Sequence, residues 1–414
     1  MAHPRFVSSG KTMITTRQSV LVGLCILPLA SSSLAVGLRL PNQDPEAIAR
    51  GNAFVATADN PSAIYHNPAG ITQLEGQHLS LGAYLISTNV DFSSPAGTAE
   101  TSEGLQAVPQ VHYVYSPESS NFSWGLGVYV PYGLGIDYGR NTPISTIAQQ
   151  GELKYISINP VAAYQLSPDL SLAAGITANY SSIDIRQEIG LVPGDEFRLT
   201  GDDIGYGFNL GLLWDINASW TFGASYRSAT QLDYEGESRA TSSPVFTGYL
   251  PTTAELKFPQ HLDMGFAYHP ADLWTVEFNL DWTDWSTLRS TAFKGTAIGD
   301  LPLYFNYQDS LMYEFGLTRI LANRLIFSAG YIYSENSAPD RDFKPLNPDS
   351  NLHLGSLGIS SRENRLGWAV AYHFAYNGGR DVSGNRSNSL LGQTGDGHYE
   401  TFNQAINVSL RYSF

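Results

Sequence analysis

Cysteine is almost absent from this chain, and its absence excludes two kinds of site. The one cysteine among 414 residues, Cys25, lies in an apolar run close to the N-terminus. If export removes that run, the remaining chain has no thiol. Disulfide bonds and thiol-ligated metal sites are then excluded, and we expect neither a metal ion nor another cofactor.

Positive charge and long apolar runs are also scarce. The chain has 23 Lys and Arg against 38 Asp and Glu, a formal net charge of −15. No basic face is available to neutralise phosphates, which argues against nucleic-acid binding. Beyond the N-terminus, no segment has the run of about 18 uncharged apolar residues that a membrane-spanning helix needs. If the chain crosses a membrane, a closed β-barrel is the structure that satisfies its backbone groups.

The first 35 residues have the order of a secretory signal peptide. Three basic residues precede an apolar run at 20–30, and Ser33 and Ala35 offer the small side chains that a signal peptidase reads. The run is too short to span a bilayer as a helix. Cleavage after Ala35 would leave 20 basic and 38 acidic residues, a net charge of about −18. The sequence therefore predicts an exported, acidic protein.

Apolar and polar residues alternate along the chain from about residue 77, which is the pattern of strands with one apolar and one polar face. The last nine residues, Ile406–Phe414, alternate in this way and end on an aromatic residue, as the closing strand of an outer-membrane barrel does. For that segment alone, an edge strand of a soluble β-protein is the alternative. We predict fourteen strands, at about 77–91, 107–116, 121–130, 152–166, 170–187, 203–215, 219–235, 252–268, 272–290, 303–319, 324–335, 350–361, 365–376 and 401–414.

Short turns and long loops alternate between these strands, and this favours a membrane barrel over a soluble sandwich. We therefore predict an all-β fold, a 14-stranded antiparallel transmembrane β-barrel at 77–414. Aromatic residues near the strand ends predict a girdle at the two membrane interfaces, with core packing as the alternative. These residues are Trp124, Tyr129, Trp214, Trp220, Trp274, Trp282, Trp285 and Tyr333.

The segment at 36–76 lacks the strand alternation. Its stretch Asp59–Gly70 is dense in turn residues. About forty residues ahead of the first strand are enough to fold back into a barrel and obstruct it. We therefore divide the chain into a signal peptide (1–35), an N-terminal hatch inside the barrel (36–76) and the barrel itself.

The stretch Gly51–Thr72, with Asn67-Pro68-Ala69 directly ahead of the first strand, resembles the N-terminal hatch of the FadL family. That family comprises outer-membrane transporters of long-chain fatty acids and aromatic hydrocarbons. The resemblance extends over the whole mature chain, including the Val130–Gly133 stretch after the third strand. It implies that an outer groove binds an apolar ligand and that movement of the hatch opens a route, sideways through the wall into the membrane.

The resemblance also implies roles for individual residues. Asn67, Pro68 and Ala69 would form the hatch gate. Pro131, Tyr132 and Gly133 would lie where the third strand breaks toward the ligand groove. Gly125 and Gly127 would permit distortion of the wall, although glycine inside a strand has simpler explanations.

A fatty-acid carboxylate inside the barrel needs a positive partner. Some fatty-acid transporters of this family have a lysine where we align Gln308, so this chain departs from them. Arg186 is the best remaining inward candidate, followed by Arg227 and Arg319; charges on the barrel wall are the alternative for all three. A neutral hydrocarbon remains open as the ligand.

The expected partners are a hydrophobic small molecule, outer-membrane lipids with lipopolysaccharide, and the barrel-assembly machinery through Phe414. We expect a monomer that is not an enzyme, since no Ser/His pair stands out. A general porin for small polar solutes and a non-transporting surface adhesin or receptor are the alternative functions.

Overall fold

The structure is a computed structural model, and it describes residues 38–102, 104–241, 248–321, 324–362, 365–387, 389 and 392–414. The predicted signal peptide (1–35) lies outside the described residues. Two short helices come first, α1 (Pro45–Ala49) and α2 (Ala63–His66), and 3₁₀ turns lie at Pro68–Gln73, Trp285–Thr287 and Asp340–Asp342. The strands are β1 (Gly76–Ser94), β2 (Gly97–Glu100), β3 (Leu105–Ser116), β4 (Phe122–Asp137), β5 (Gln150–Ser167), β6 (Leu170–Gln187), β7 (Glu196–Asn217), β8 (Trp220–Arg227), β9 (Thr230–Thr241), β10 (Tyr249–Phe258), β11 (His261–Ala271), β12 (Trp274–Thr283), β13 (Ser290–Phe293), β14 (Leu301–Tyr304), β15 (Ser310–Ile320), β16 (Leu325–Ser334), β17 (Leu352–Ser361), β18 (Leu366–Tyr376), β19 (Arg380–Val382) and β20 (Gly397–Ser413).

Fourteen wall strands pair antiparallel with their neighbours and close into a barrel. β8 and β9 form one wall strand because β7 pairs with both, and β10 and β11 form the next because they pair with β9 and β8. β20 closes the ring by pairing with β1, from His78↔Ser413 to Ser93↔His398. The predicted 14-stranded antiparallel barrel is confirmed, and the C-terminal strand closes it.

The wall strands place apolar side chains outward, and the residues between them face the interior. β18 shows this clearly, because Trp368, Val370, Tyr372 and Phe374 are exposed while the residues between them are buried. A strand that alternates in this way suits a barrel surrounded by lipid. Among the described residues, no helix is both long enough and apolar enough to cross a membrane.

Two predicted strand boundaries are wrong. The sequence predicted strands at 272–290 and 303–319, but the chain leaves the wall after Thr283 and returns at Ser310. Trp285 and Tyr307 explain the difference, because both side chains are buried inside the barrel with their ring centres 6.3 Å apart. Packing of these two rings overrides the strand alternation.

The aromatic girdle is only partly as predicted. Trp124, Trp214 and Trp220 face outward and are 42–53% exposed. Tyr129 and Trp285 instead face the interior and are fully buried. For these two residues the core-packing alternative is correct. Their side chains fill the interior of the barrel instead of reaching a membrane interface.

Residues 38–75, which we call the N-terminal segment, lie inside the barrel. Ile64 of α2 is fully buried in a cluster with Val114, Val161 and Leu213 of the wall. Ile48 of α1 is buried in a second cluster against β15–β18. Apolar burial of this kind contributes roughly 25 cal/mol per Å² of surface removed from water, so each cluster stabilises the segment against the wall.

Candidate functional site

The Asn67-Pro68-Ala69 tripeptide is buried where the N-terminal segment meets β7. Asn67 follows α2 and caps the next 3₁₀ turn, and its Oδ1 accepts the N–H of Ala69 at 3.2 Å. Its Nδ2 donates to the carbonyl oxygens of Val55 (2.8 Å) and Leu212 (2.9 Å). Pro68 takes the first position of the turn, where no intrahelical N–H is needed. One amide side chain therefore joins two parts of the segment to the wall.

Glycines in the wall make room for these contacts. A Cβ at Gly211 would lie 2.5 Å from Oδ1 of Asn67, which is closer than side-chain atoms approach each other. A Cβ at Gly125 or Gly127 would lie 2.9 Å or 2.8 Å from side-chain atoms of Ile64. The sequence analysis assigned Gly125 and Gly127 to distortion of the wall. In the structure both glycines let α2 approach β4.

Arg362, in the short turn after β17, binds two acidic residues of the N-terminal segment; we call Arg362, Glu46 and Asp59 the clamp. Arg362 nitrogens lie 3.1 and 2.8 Å from the Glu46 carboxylate and 2.5 and 2.8 Å from that of Asp59. Burial would raise the pKa of Glu46, but Arg362 and Arg411 outweigh it and hold the pKa well below its usual range. Arg362 likewise lowers the pKa of Asp59 against the effect of burial. The clamp therefore stays ionised at neutral and mildly acidic pH.

Asp44, next to the clamp, has the opposite tendency. Its Oδ1 caps α1 by accepting the N–H groups of Glu46 (2.8 Å) and Ala47 (3.2 Å), and Asn60 donates to the same atom. Burial, helped by the negative charge of Glu46, raises the pKa of Asp44 to about 6, although these hydrogen bonds oppose the rise. A carboxyl group with a raised pKa favours the docked state where it is protonated, so docking strengthens as pH falls through 6.

Lowering the pH from 7 to 5 is expected to decrease the displaced fraction of the N-terminal segment about tenfold, a gain of about 1.4 kcal/mol, because docked Asp44 takes up a proton that the displaced form does not. The mobile fraction of a nitroxide attached through Q73C measures this. D44N keeps the helix cap and should remove the pH dependence. Equal mobile fractions at both pH values in the unmodified Asp44 background would contradict the assignment.

Two arginines of the N-terminal segment pair with carboxylates on the inner face of β12. Arg39 lies 2.7 Å from Asp281, and Arg50 lies 3.2 Å from Glu277. All four side chains are at least 96% buried. Removing one partner of such a pair leaves an uncompensated buried charge, so these contacts fix the position of the segment in the barrel.

A gap opens in the wall between β3 and β4. Their ladder runs only from Tyr115↔Trp124 to Val111↔Val128. β4 then bulges between Tyr129 and Tyr132 and turns inward to the N-terminal segment. There Leu40 donates to the carbonyl of Pro131 at 2.8 Å, and Gly133 donates to the carbonyl of Leu38 at 2.9 Å. The break in the strand thus falls at Val130-Pro131, directly ahead of Tyr132 and Gly133, and residues 38–43 lie behind the gap.

An aromatic cluster fills the barrel at the end with the long loops. Tyr132 lies 5.0 Å from Tyr155 and 4.8 Å from Phe258, measured between ring centres. Trp285 and Tyr307 belong to the same buried group, and Leu38 of the N-terminal segment packs against it. The break in β4 therefore brings Tyr132 from the wall into an apolar interior that adjoins the N-terminal segment.

The sequence candidates for a carboxylate partner do not line this interior, with the exception of Arg227. Arg186 stands on the outward face of β6, where it pairs with Asp184 at 3.3 Å. The prediction that Arg186 points inward is therefore wrong, because the neighbouring side chains of Ile183 and Ile185 point inward at this level. Gln308 is also exposed, since the adjacent Tyr307 occupies the interior. Arg319 stacks outside on the ring of Trp274 at 4.4 Å.

Lys344, in the loop between β16 and β17, is a cation that the sequence analysis missed. Its Nζ lies 5.9 Å from the ring centre of Phe305, which packs against the aromatic cluster. Burial lowers the pKa of Lys344, and the charge of Asp342 opposes this. No carboxylate oxygen lies within 4 Å of its Nζ among the residues that the structure describes. Periodicity gives no signal for such a loop residue.

The clamp was also missed. Glu46 and Asp59 are acidic residues in a segment that the family resemblance places inside the barrel, and this was the one available signal. A buried carboxylate requires a cation, but the sequence does not say which of the basic residues supplies it. Arg362 is 316 positions from Glu46 along the chain.

A model of the family described as outer membrane protein transport protein (OMPP1/FadL/TodX) matches residues 26–414. The chain is 22% identical over 399 residues to a long-chain fatty acid transport protein of Escherichia coli O6:H1, covering 85% of this chain and 88% of that protein. It is 24% identical over 379 residues to a 47 kDa outer membrane protein of Pasteurella multocida, covering 83% and 87%.

Two solved structures share the fold. A Pseudomonas aeruginosa FadL homologue superposes with a TM-score of 0.82 at 17% identity, over 91% of this chain and all of that one. The Pseudomonas putida toluene transporter TodX superposes with a TM-score of 0.72 at 20% identity, over 92% of this chain and 99% of that one.

Proposed function

Because this chain belongs to the OMPP1/FadL/TodX family of outer membrane transport proteins, we propose that it admits long-chain fatty acids or other hydrophobic molecules by passive, gated diffusion. The family match confirms the predicted resemblance and the outer-membrane location, and makes the chain a transport protein rather than an enzyme. The observation that carries the finer proposal is the aromatic cluster at Tyr132, which connects the long loops to a wall gap backed by the N-terminal segment.

The proposed route begins at the aromatic cluster, where an apolar chain leaves water. It continues past Tyr132 to the gap between β3 and β4. Residues 38–43 obstruct the gap, so they must withdraw before the ligand passes sideways into the membrane. Burial in lipid favours the exit by roughly 0.8 kcal/mol per CH₂, and no energy input is needed.

Asn67, Pro68 and Ala69 are proposed as the gate that holds the N-terminal segment in its obstructing position. Two hydrogen bonds donated by Asn67 Nδ2 and the close approach of Asn67 to Gly211 support this role. Phe414, 63% exposed at the end of the closing strand, is available to the barrel-assembly machinery. A barrel with a filled interior needs no second copy to work, so we propose a monomer in contact with lipid and lipopolysaccharide.

Lys344 is proposed as the carboxylate partner at the outer side of the aromatic cluster. K344M is expected to lower oleate uptake about tenfold, because a charge-assisted hydrogen bond of about 1.5–3 kcal/mol is lost. Uptake of oleyl alcohol, which has the same chain without the charge, should be unchanged. K294M, which removes an exposed lysine of another long loop, serves as the matched control. An equal loss for both ligands would reject a carboxylate role.

The test of the function is uptake of labelled oleate and labelled toluene by cells that lack their own transporters and display this chain in the outer membrane. Uptake of oleate establishes the fatty-acid assignment; uptake of toluene alone moves the ligand to neutral hydrocarbons. A general porin would instead conduct ions steadily in planar bilayers. An adhesin or receptor would keep its activity after disruption of Asn67-Pro68-Ala69.

A further inference from the structure

The short turn between β7 and β8 presents an asparagine in the acceptor pattern for a glycan. Residues 215–219 read Asp-Ile-Asn-Ala-Ser, so Asn217, the last residue of β7, has a serine two positions after it. Asn-X-Ser or Asn-X-Thr, with X other than proline, is the acceptor pattern of N-glycosylation in exported chains. In bacteria the pattern extends to an acidic residue two positions before the asparagine, and Asp215 is that residue here.

The shape of the turn leaves the amide nitrogen of Asn217 free. Its Oδ1 accepts the N–H of Ser219 at 2.9 Å, which makes an Asx turn. Its Nδ2 forms no hydrogen bond within the described part of the chain, and neither does the Ser219 hydroxyl. The carbonyl of Ser219 accepts the N–H of His269 at 2.9 Å, so the turn is fixed against its neighbour. Asn217 itself is exposed, and its amide can therefore be reached from solvent.

The turn lies on the periplasmic side of the barrel. Short turns of outer-membrane barrels face the periplasm, and β7 ends there after it starts from a long outer loop. Bacteria transfer glycans to exported chains in the periplasm, because the lipid-linked donor is displayed on that side of the inner membrane. The acceptor and the donor therefore share one compartment.

Four other positions have the Asn-X-Ser pattern, and each of them lacks part of the site. None has an acidic residue two positions earlier. Asn179 and Asn407 are buried on the inner face of the wall. Asn385 belongs to an outer loop and is buried, and its Nδ2 donates to two carbonyl oxygens. Asn121 is exposed in the turn between β3 and β4, but its partner Ser123 is buried.

A surface cleft of about 430 Å³ adjoins the acceptor. It lies between the ends of β5, β7 and β11, and Asn217, Asp169, Asp215 and His269 are among its lining residues. Carboxylates accept hydrogen bonds, and the hydroxyl groups of a sugar donate them. The cleft therefore has room and acceptors for the first sugar of a glycan on Asn217, and the folded turn can carry it without rearrangement.

We propose that Asn217 is an acceptor for an N-linked glycan in the periplasm. The donor is an oligosaccharide bound to a polyprenyl diphosphate. The Nδ2 atom forms a bond to C1 of the first sugar, and the bond between C1 and the diphosphate oxygen breaks. The diphosphate leaves with the electron pair, and a base of the transferase takes one proton from Nδ2. Nothing is oxidised or reduced in this step.

The mass of the full-length protein tests the proposal. The chain is displayed in the outer membrane of cells that make the lipid-linked oligosaccharide and a periplasmic oligosaccharyltransferase. Its mass should rise by one oligosaccharide, which peptide sequencing should place on Asn217. N217Q and S219A should gain no mass. D215N, which keeps an acceptor for the Thr221 hydroxyl, should reduce the modified fraction about tenfold, because a charged contact with the transferase is lost.

N121Q is the matched control, since it removes an exposed asparagine of the same pattern from another periplasmic turn. It should keep the full increase in mass. Heat-modifiable migration identifies the folded variants, so a lost increase reflects the acceptor and not assembly. An unmodified protein in cells that glycosylate a reference acceptor would overturn the proposal. A glycan that N217Q retains, or that sequencing places on Asn121, would do the same. Transport is not part of the readout, so the result is independent of the proposed function.

Discussion

A disulfide between the N-terminal segment and the wall is expected to abolish oleate uptake, and reduction is expected to restore it. Thr72, in the 3₁₀ turn after the gate, and Ser171 of β6 have hydroxyl oxygens 2.8 Å apart. Sulfur atoms placed there by T72C/S171C fall within bonding reach. Because the proposed route requires the segment to withdraw, the oxidised variant should transport less than one-tenth of the reduced one.

Two controls accompany this experiment. S116C/S123C joins β3 to β4 below the gap, where the two hydroxyl oxygens are also 2.8 Å apart. This second disulfide forms no covalent link to the N-terminal segment, although it removes the hydrogen bond from Ser116 to the carbonyl of Ile71 (3.1 Å), so uptake should survive its oxidation. The single variants T72C and S171C should be insensitive to the oxidant. Full uptake by the oxidised T72C/S171C protein would show that the segment does not move at this turn.

Loss of the clamp is expected to increase the fraction of molecules in which the N-terminal segment is displaced and the barrel is open. R362Q leaves the part-exposed carboxylate of Asp59 without its ion-pair partner and the buried carboxylate of Glu46 with only Arg411, at 4.0 Å, for a cost of about 3 kcal/mol that comes mainly from Glu46. The fraction of molecules with a displaced N-terminal segment should rise about a hundredfold. Planar-bilayer recordings should then show an ion current that the unmodified protein lacks, while heat-modifiable migration shows an intact barrel.

Matched variants decide whether the clamp acts through charge. R365Q removes an exposed arginine of the same turn and should leave the current at its basal level. Adding E46Q and D59N to R362Q removes the uncompensated charges, so the triple variant should conduct less than R362Q alone. If R362Q conducts no more ion current than the unmodified protein, the apolar clusters around Ile48 and Ile64 hold the segment in place without the clamp.

The fold was predictable because its signal is local. In β18, and in β20 from Ile406 to Tyr412, every second residue is apolar, so the sequence alone shows which side of these strands faces lipid. The count of fourteen follows from this alternation and from the turns between strands. Where interior packing competes with alternation, as at Trp285 and Tyr307, the predicted boundaries are displaced.

The site was less predictable because its contacts join distant parts of the chain. The Asn67-Pro68-Ala69 tripeptide carried its own signal; the structure buries it against β7, and its role as a gate stays a prediction. Arg186 was favoured as an inward cation, yet one step of strand alternation places it outside. Lys344 and Arg362 belong to a loop and a turn, where alternation gives no orientation.

The sequence by itself determined the strand alternation, the closing strand and the position of Asn67, since each depends on neighbours within a few residues, while the export signal stays a prediction. The tertiary structure alone decided which charges meet. The gap between β3 and β4 exists because β4 turns to pair with residues 38–40. Glu46 forms its ion pair with Arg362 because closure of the barrel brings the last turns beside the first helix. Register and closure set these contacts, and no local pattern encodes them.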